Sequence, residues 1–97
     1  MTEELQKQYN TACQAKELLD PLVSALRARQ IGCTTQISMS EFDEWCIELS
    51  VPREVPASKI PQTVLGVKVV RRLFANATAA AADFSFLPDA TTLPYFN

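Results

Sequence analysis

The 97-residue sequence contains no histidine, only two glycines and no unbroken apolar stretch of 18 residues. Each shortage excludes something. Without histidine there is no Ser-His-Asp or Cys-His nucleophile pair, no imidazole base and no His-ligated metal. Two isolated glycines, Gly32 and Gly66, cannot build a glycine-rich phosphate loop. The lack of a long apolar run excludes a transmembrane helix. Cysteine is scarce and odd in number: Cys13, Cys33 and Cys46 include no pair at CxxC spacing. Three thiols without histidine make a poor zinc site, and they read as small buried apolar residues. Charge of one sign is scarce as well. The net charge is −2, which gives no strong pull toward nucleic acid or an anionic membrane. Residues 1–74 carry nine basic and nine acidic groups, so the imbalance belongs to Asp83 and Asp89 in the last stretch.

What is present suits one small domain spanning residues 1–97, since a 47% hydrophobic fraction can support one modest core. Over residues 2–31, Leu5, Tyr9, Ala12, Leu19, Leu22, Val23 and Leu26 recur at three- and four-residue steps, as on a helix with one apolar stripe. Thr2 suits the N-cap, with Glu3 and Glu4 favoured by the dipole in the first turn. Arg27 and Arg29 suit the last turn, with Gly32 as the stop. Asp20-Pro21 interrupts the run. Either the helix kinks there or Asp20 caps a second helix, and the unbroken phase of the stripe favours one long kinked helix.

The period then changes to two. Thr35, Ile37 and Met39 alternate with polar residues. After the turn Ser40-Glu41-Phe42-Asp43, Trp45, Ile47, Leu49 and Val51 do the same, which predicts an antiparallel hairpin. Residues 52–66 hold Pro52, Pro56 and Pro61 and read as an ordered connection. It is long enough to leave strand order open. A third strand follows over 67–74, with Arg71 falling on its core-facing side.

The stretch 75–97 begins with the alanine-rich run 76–82, which suits one or two helical turns capped by Thr78. Four of the eight aromatics then fall within the last fourteen residues, more than a disordered tail would carry. Phe84, Phe86, Leu87, Leu93, Tyr95 and Phe96 therefore predict an ordered aromatic tail. Its docking has two readings: over the sheet face opposite the helix, beside Val70 and Phe74, or onto a partner subunit or sheet edge.

The order of elements resembles a small helix-plus-three-strand module of bacterial proteins, found beside trypsin-like peptidase domains and in short orphan proteins. The residues that carry the resemblance are Ile31-Gly32, the strand Trp45-Cys46-Ile47-Glu48-Leu49-Ser50-Val51, then Ile60-Pro61 and Leu65-Gly66-Val67-Lys68-Val69-Val70. It covers about residues 20–74. The first strand lacks the module's usual glycines, and Lys68 stands where the module has proline. The module carries no catalytic residues, so the resemblance implies none here.

Other chemistry-bearing residues read as structural. Glu17 and Asp20 suit a solvated helix face, and Glu41, Asp43 and Glu44 a solvated turn, with no calcium-loop spacing among them. Ser58 and Lys59 are adjacent rather than spaced as a Ser-x-x-Lys dyad. Lys68 and Arg72 share a strand face with Glu48 available across the sheet. Asn76-Ala77-Thr78 forms a glycosylation triplet that, without a secretion signal at the acidic N-terminus, points to nothing.

The sequence therefore predicts an α+β, two-layer fold: one long kinked N-terminal helix on a three-stranded, mainly antiparallel sheet, followed by the aromatic tail. It predicts a cytoplasmic, non-catalytic protein without a cofactor, acting by self-association or protein contact through that tail. The alternative is an apolar-ligand pocket between helix, sheet and tail, with Tyr9, Trp45 and Arg71 among its residues.

Overall fold

The computed structural model describes residues 2–92; Leu93, Tyr95 and Phe96 lie outside the described residues. Helix α1 (Glu3–Leu18) starts where expected. The Thr2 hydroxyl oxygen accepts the Leu5 N–H at 3.2 Å, with Glu3 and Glu4 in the first turn. Leu19 separates α1 from α2 (Asp20–Ala28), so the long helix bends there. The cause is Pro21: it has no N–H for the Glu17 carbonyl, and its ring crowds that carbonyl. A tighter bond from Leu19 N–H to Lys16 O at 3.0 Å closes α1, and Val23 N–H to Leu19 O at 3.1 Å resumes the ladder.

The stop signal is not Gly32. Gln30 takes the left-handed conformation (φ 62°). Its N–H bonds Arg27 O, and the Ile31 N–H reaches back to Leu26 O at 3.0 Å. This paired closure matches a Schellman motif, with buried Ile31 and Leu26 as its apolar contact.

Among the described residues the sheet has four strands: β1 (Thr34–Met39), β2 (Trp45–Pro52), β3 (Thr63–Val64) and β4 (Val67–Phe74), in the order β1-β2-β4-β3. The expected hairpin is present, with β1 antiparallel to β2 and Ile37 opposite Ile47. Two expectations are corrected. A fourth strand, β3, pairs with the start of β4 through a tight turn at Leu65-Gly66. In addition, β2 and β4 run parallel, with Ile47 beside Val69 and Leu49 beside Arg71. The sheet is therefore mixed rather than mainly antiparallel. The reason is the length of the proline-rich connection, since parallel neighbours need a crossover of about a dozen residues or more.

One face of the sheet is apolar and lies under the helices. Ile47, Leu49 and Val51 are fully buried and share a cluster with Ala12, Ala15, Leu19, Val23 and Leu26 of the helices. The other face is polar: Glu48 accepts from Gln36 Nε2 at 2.6 Å and from Arg72 Nη2 at 3.0 Å across three strands. The cross-strand Glu48–Arg72 pair is the one the strand pattern suggested. No helix among the described residues is long and apolar enough to cross a membrane.

After β4 the chain turns through α3 (Ala77–Ala80). Its cap is Asn76, whose side-chain oxygen accepts the Ala79 N–H at 3.0 Å, and not Thr78. The chain then returns toward the helices. Ala79, Phe84 and Leu87 are buried in the same cluster as Leu19, Val23 and Leu26, with Val55 and Ile60 of the crossover alongside. Phe84, Phe86 and Leu87 do not cover the sheet face opposite the helix, which was one of the two expected dockings. That face is committed to polar pairs, whereas α2 and the crossover leave an apolar opening that Phe84 and Leu87 fill.

Candidate functional site

The residues singled out in the tail divide by position. Phe84 and Leu87 are buried in the chain's own core. The Asp83 carboxylate accepts the Ser85 N–H at 2.9 Å and so starts the 3-10 turn Phe84–Phe86. Phe86 is half-buried and lies beneath Arg29, whose guanidinium carbon is 4.1 Å from the ring centroid. Such a cation–π contact contributes about 0.5–1 kcal/mol at an exposed site. Lys59 secures the next residues. Its ammonium donates to Leu87 O at 2.9 Å and pairs with the Asp89 carboxylate at 2.9 Å. The described part of the tail is thus docked within its own chain.

This docking creates a concavity. A groove of about 360 Å³ lies between the helical bend, the crossover and the returning tail. Leu18, Pro21, Leu22 and Ala25 form one wall, Pro61 the floor side, and Phe86, Leu87 and Pro88 the opposite wall. Among the described residues its charged side chains are Glu17 and Lys59, and the rest of the lining is apolar. The volume falls within the range of ligand sites. Leu18 is 36% exposed, a high value for a leucine next to a core. The sequence signal for this wall was present: Leu18, Leu22 and Ala25 stand at steps of four and three, beside the stripe that faces the sheet. Pro21, read as a helix breaker, contributes to the wall as well as to the bend.

Of the residues proposed as a pocket from sequence, two come together and Arg71 stands apart. Tyr9 and Trp45 meet edge-to-face, with centroids 5.0 Å apart. Their contact joins α1 to the start of β2 and is part of the packing. The Trp45 indole N–H has no hydrogen-bond partner among the described residues. A hydrogen bond with Cys13 raises the pKa of the Tyr9 phenol above its ordinary value. Arg71 lies four residues further along the sheet, beside Leu49, and is exposed. None of the three lines the groove.

Candidate catalytic groups stay apart. Cys33 and Cys46 are buried, Cys13 is half-buried, and all are free thiols. Burial pushes the Cys33 thiol up to about 11, against a smaller opposing influence from Arg27. Burial likewise raises Cys46. Both are held in the unreactive thiol form at neutral pH. Hydrogen bonds from Arg72 and Gln36 hold the Glu48 carboxyl below its usual range. Glu41, Asp43 and Glu44 are exposed on the β1–β2 turn, where the Ser40 hydroxyl accepts the Phe42 and Glu44 N–H groups at 3.3 Å. No group of three or more acidic or thiol side chains could hold a metal among the described residues.

Comparison with protein-family models, with curated proteins and with solved structures finds no match.

Proposed function

We propose that the chain is a small non-catalytic protein-interaction module whose contact site is the groove between the helical bend and the docked tail. The carrying observation is that Phe86, Leu87 and Pro88 are held against Leu18, Pro21, Leu22 and Ala25 with an open apolar space between them. Small-molecule sites generally add a few well-placed polar groups that orient the ligand. Here Lys59 is already engaged by Leu87 O and Asp89, and Glu17 sits on an exposed helix face. Recognition by shape and apolarity suits the large apolar anchor side chains of a protein partner, such as leucine or tryptophan. The suggested likeness of residues 20–74 to a module without catalytic residues agrees with this reading.

The test is a titration of side-chain mimics followed by amide NMR spectra. N-acetyl-leucinamide and N-acetyl-tryptophanamide should shift the amides of Leu22, Ala25, Phe86 and Leu87. Ala25→Arg, which fills the groove from an accessible position, should abolish those shifts. Shifts produced by decanoate alone would favour an apolar small-molecule site. The absence of shifts at these residues with every probe would refute a groove function.

A further inference from the structure

The two outer edges of the sheet differ in a way that points to a partner for one of them. Beyond β3, where the Val69 N–H still donates to Gln62 O at 2.9 Å, β4 continues from Val70 to Phe74 with no strand on its outer side among the described residues. That edge carries Arg71 and Arg72, and Arg71 projects from the same face as buried Leu49. A charge on the inward face of an edge strand blocks the docking of another strand. Strand β1 has no such protection. Its sequence Thr-Thr-Gln-Ile-Ser-Met contains no charge and no proline.

The hydrogen-bond parity of β1 follows from the hairpin. The Ser40 N–H donates to Glu44 O at 2.8 Å, so with Ser38 opposite Cys46 the even-numbered residues bond inward to β2. The N–H and C=O groups of Thr35, Ile37 and Met39 therefore point outward, where the sheet has no further strand among the described residues. One residue earlier in the same series, the Cys33 carbonyl accepts from Arg27 Nε at 3.0 Å.

We propose that β1 pairs antiparallel with β1 of a second copy of this chain, about a two-fold axis through Ile37. In that register Ile37 meets Ile37 of the second copy, and Thr35 meets its Met39. Every outward backbone group of the strand is then satisfied. Met39, 41% exposed in the single chain, gains Thr35 of the second copy directly opposite and its Ile37 on the diagonal. Charge selects the second copy as occupant. The acidic turn Glu41, Asp43 and Glu44 lies at one end of β1, and Arg27, bonded to the Cys33 carbonyl, at the other. Antiparallel pairing brings the acidic turn of each copy beside the other copy's Arg27, at both ends of the interface. Parallel pairing would place acidic turn against acidic turn. The two four-stranded sheets become one continuous eight-stranded sheet. The groove plays no part in this interface.

Sedimentation equilibrium of the full chain, with Thr35→Pro as the variant, tests the proposal. The Thr35 N–H takes no part in the β1–β2 ladder, so proline at this edge position spares the intramolecular bonds. It removes one donor from each of two symmetry-related hydrogen bonds, and association should weaken about 30-fold. Circular dichroism checks that the variant is folded. A wild-type chain that stays monomeric at all concentrations, or a folded Thr35→Pro chain that associates equally well, overturns the proposal. Mild oxidation of Ile37→Cys gives a second measurement. Opposed residues at such a position lie about 5.5 Å apart, within disulfide range. A covalent dimer should form with Ile37→Cys and not with Leu73→Cys on the β4 edge. Equal cross-linking of the two variants, or none with Ile37→Cys, overturns it.

Discussion

Replacing Leu87 with alanine tests most directly whether the tail belongs to its own chain's core. Leu87 is 2% exposed and belongs to the cluster that contains Leu19, Val23 and Leu26. Its backbone bonds, N–H to Phe84 O at 3.1 Å and C=O from Lys59 at 2.9 Å, do not depend on the side chain. The loss is therefore that of packing alone. Core Leu→Ala changes cost about 2–5 kcal/mol, most where the cavity cannot collapse or fill. Leu87 also borders the groove, so water can reach part of the space left behind. That places the expected loss at the lower end, about 2–3 kcal/mol. For a domain stabilised by about 5–15 kcal/mol this is a large fraction, and it lowers Tm by about 10–20 °C. Urea unfolding of variant and parent at two protein concentrations about 100-fold apart would measure it, with the fluorescence of Trp45, the single tryptophan, as probe. The difference between variant and parent should be the same at both concentrations, because the contact is intramolecular. A loss below about 1 kcal/mol would refute the packing argument. A difference that grew with concentration would place Leu87 at a subunit interface instead.

Two further outcomes follow from particular residues. Leu65 and Gly66 form the β3–β4 turn with φ 53° and 79°, and Leu65 is 41% exposed. A leucine strained in the left-handed region should yield about 1 kcal/mol of added stability on Leu65→Asn, read as a higher urea midpoint; no gain would contradict the turn assignment. Among the thiols, half-buried Cys13 should react first with a disulfide reagent at pH 8, with Cys33 and Cys46 slow until the protein unfolds. Cys33 titrates at about 11 when folded, above its unfolded value, so its contribution to stability is complete below the ordinary thiol range and is lost as pH rises toward 11. Mass spectrometry of time-quenched samples gives the order, and prompt labelling of Cys33 in folded protein would contradict its burial.

Much of the fold was legible because it is written in local period. The Thr2 cap, the interruption at Pro21 and the β1–β2 hairpin all depend on residues within a few positions of each other. The bend was readable for the same reason, since the clash of a proline ring with the carbonyl four residues back is a local event. Gln30 was not readable as the helix stop. A non-glycine residue adopts positive φ there because the Leu26–Ile31 closure holds it, and composition favoured Gly32. The candidate site was the least legible part. Phe86 and Leu87 were singled out for their apolarity, but the wall they face is formed by Leu18, Leu22 and Ala25, more than sixty residues earlier in the chain.

The sequence by itself determined what this protein lacks and which faces it buries. It has no histidine and a charge-balanced body, and its helix and hairpin each have one apolar side. Tertiary structure alone decided that β2 and β4 lie parallel, that Arg71 stands on the inward face of an edge stretch of β4, and that Phe84 and Leu87 close the chain's own core. The physical reason is the reach of each signal. Alternating or helical apolarity states that a side must leave water, and many surfaces satisfy that demand equally well. Which surface does so depends on the crossover that carries β4 alongside β2 and on the Lys59 contacts that hold the returning tail.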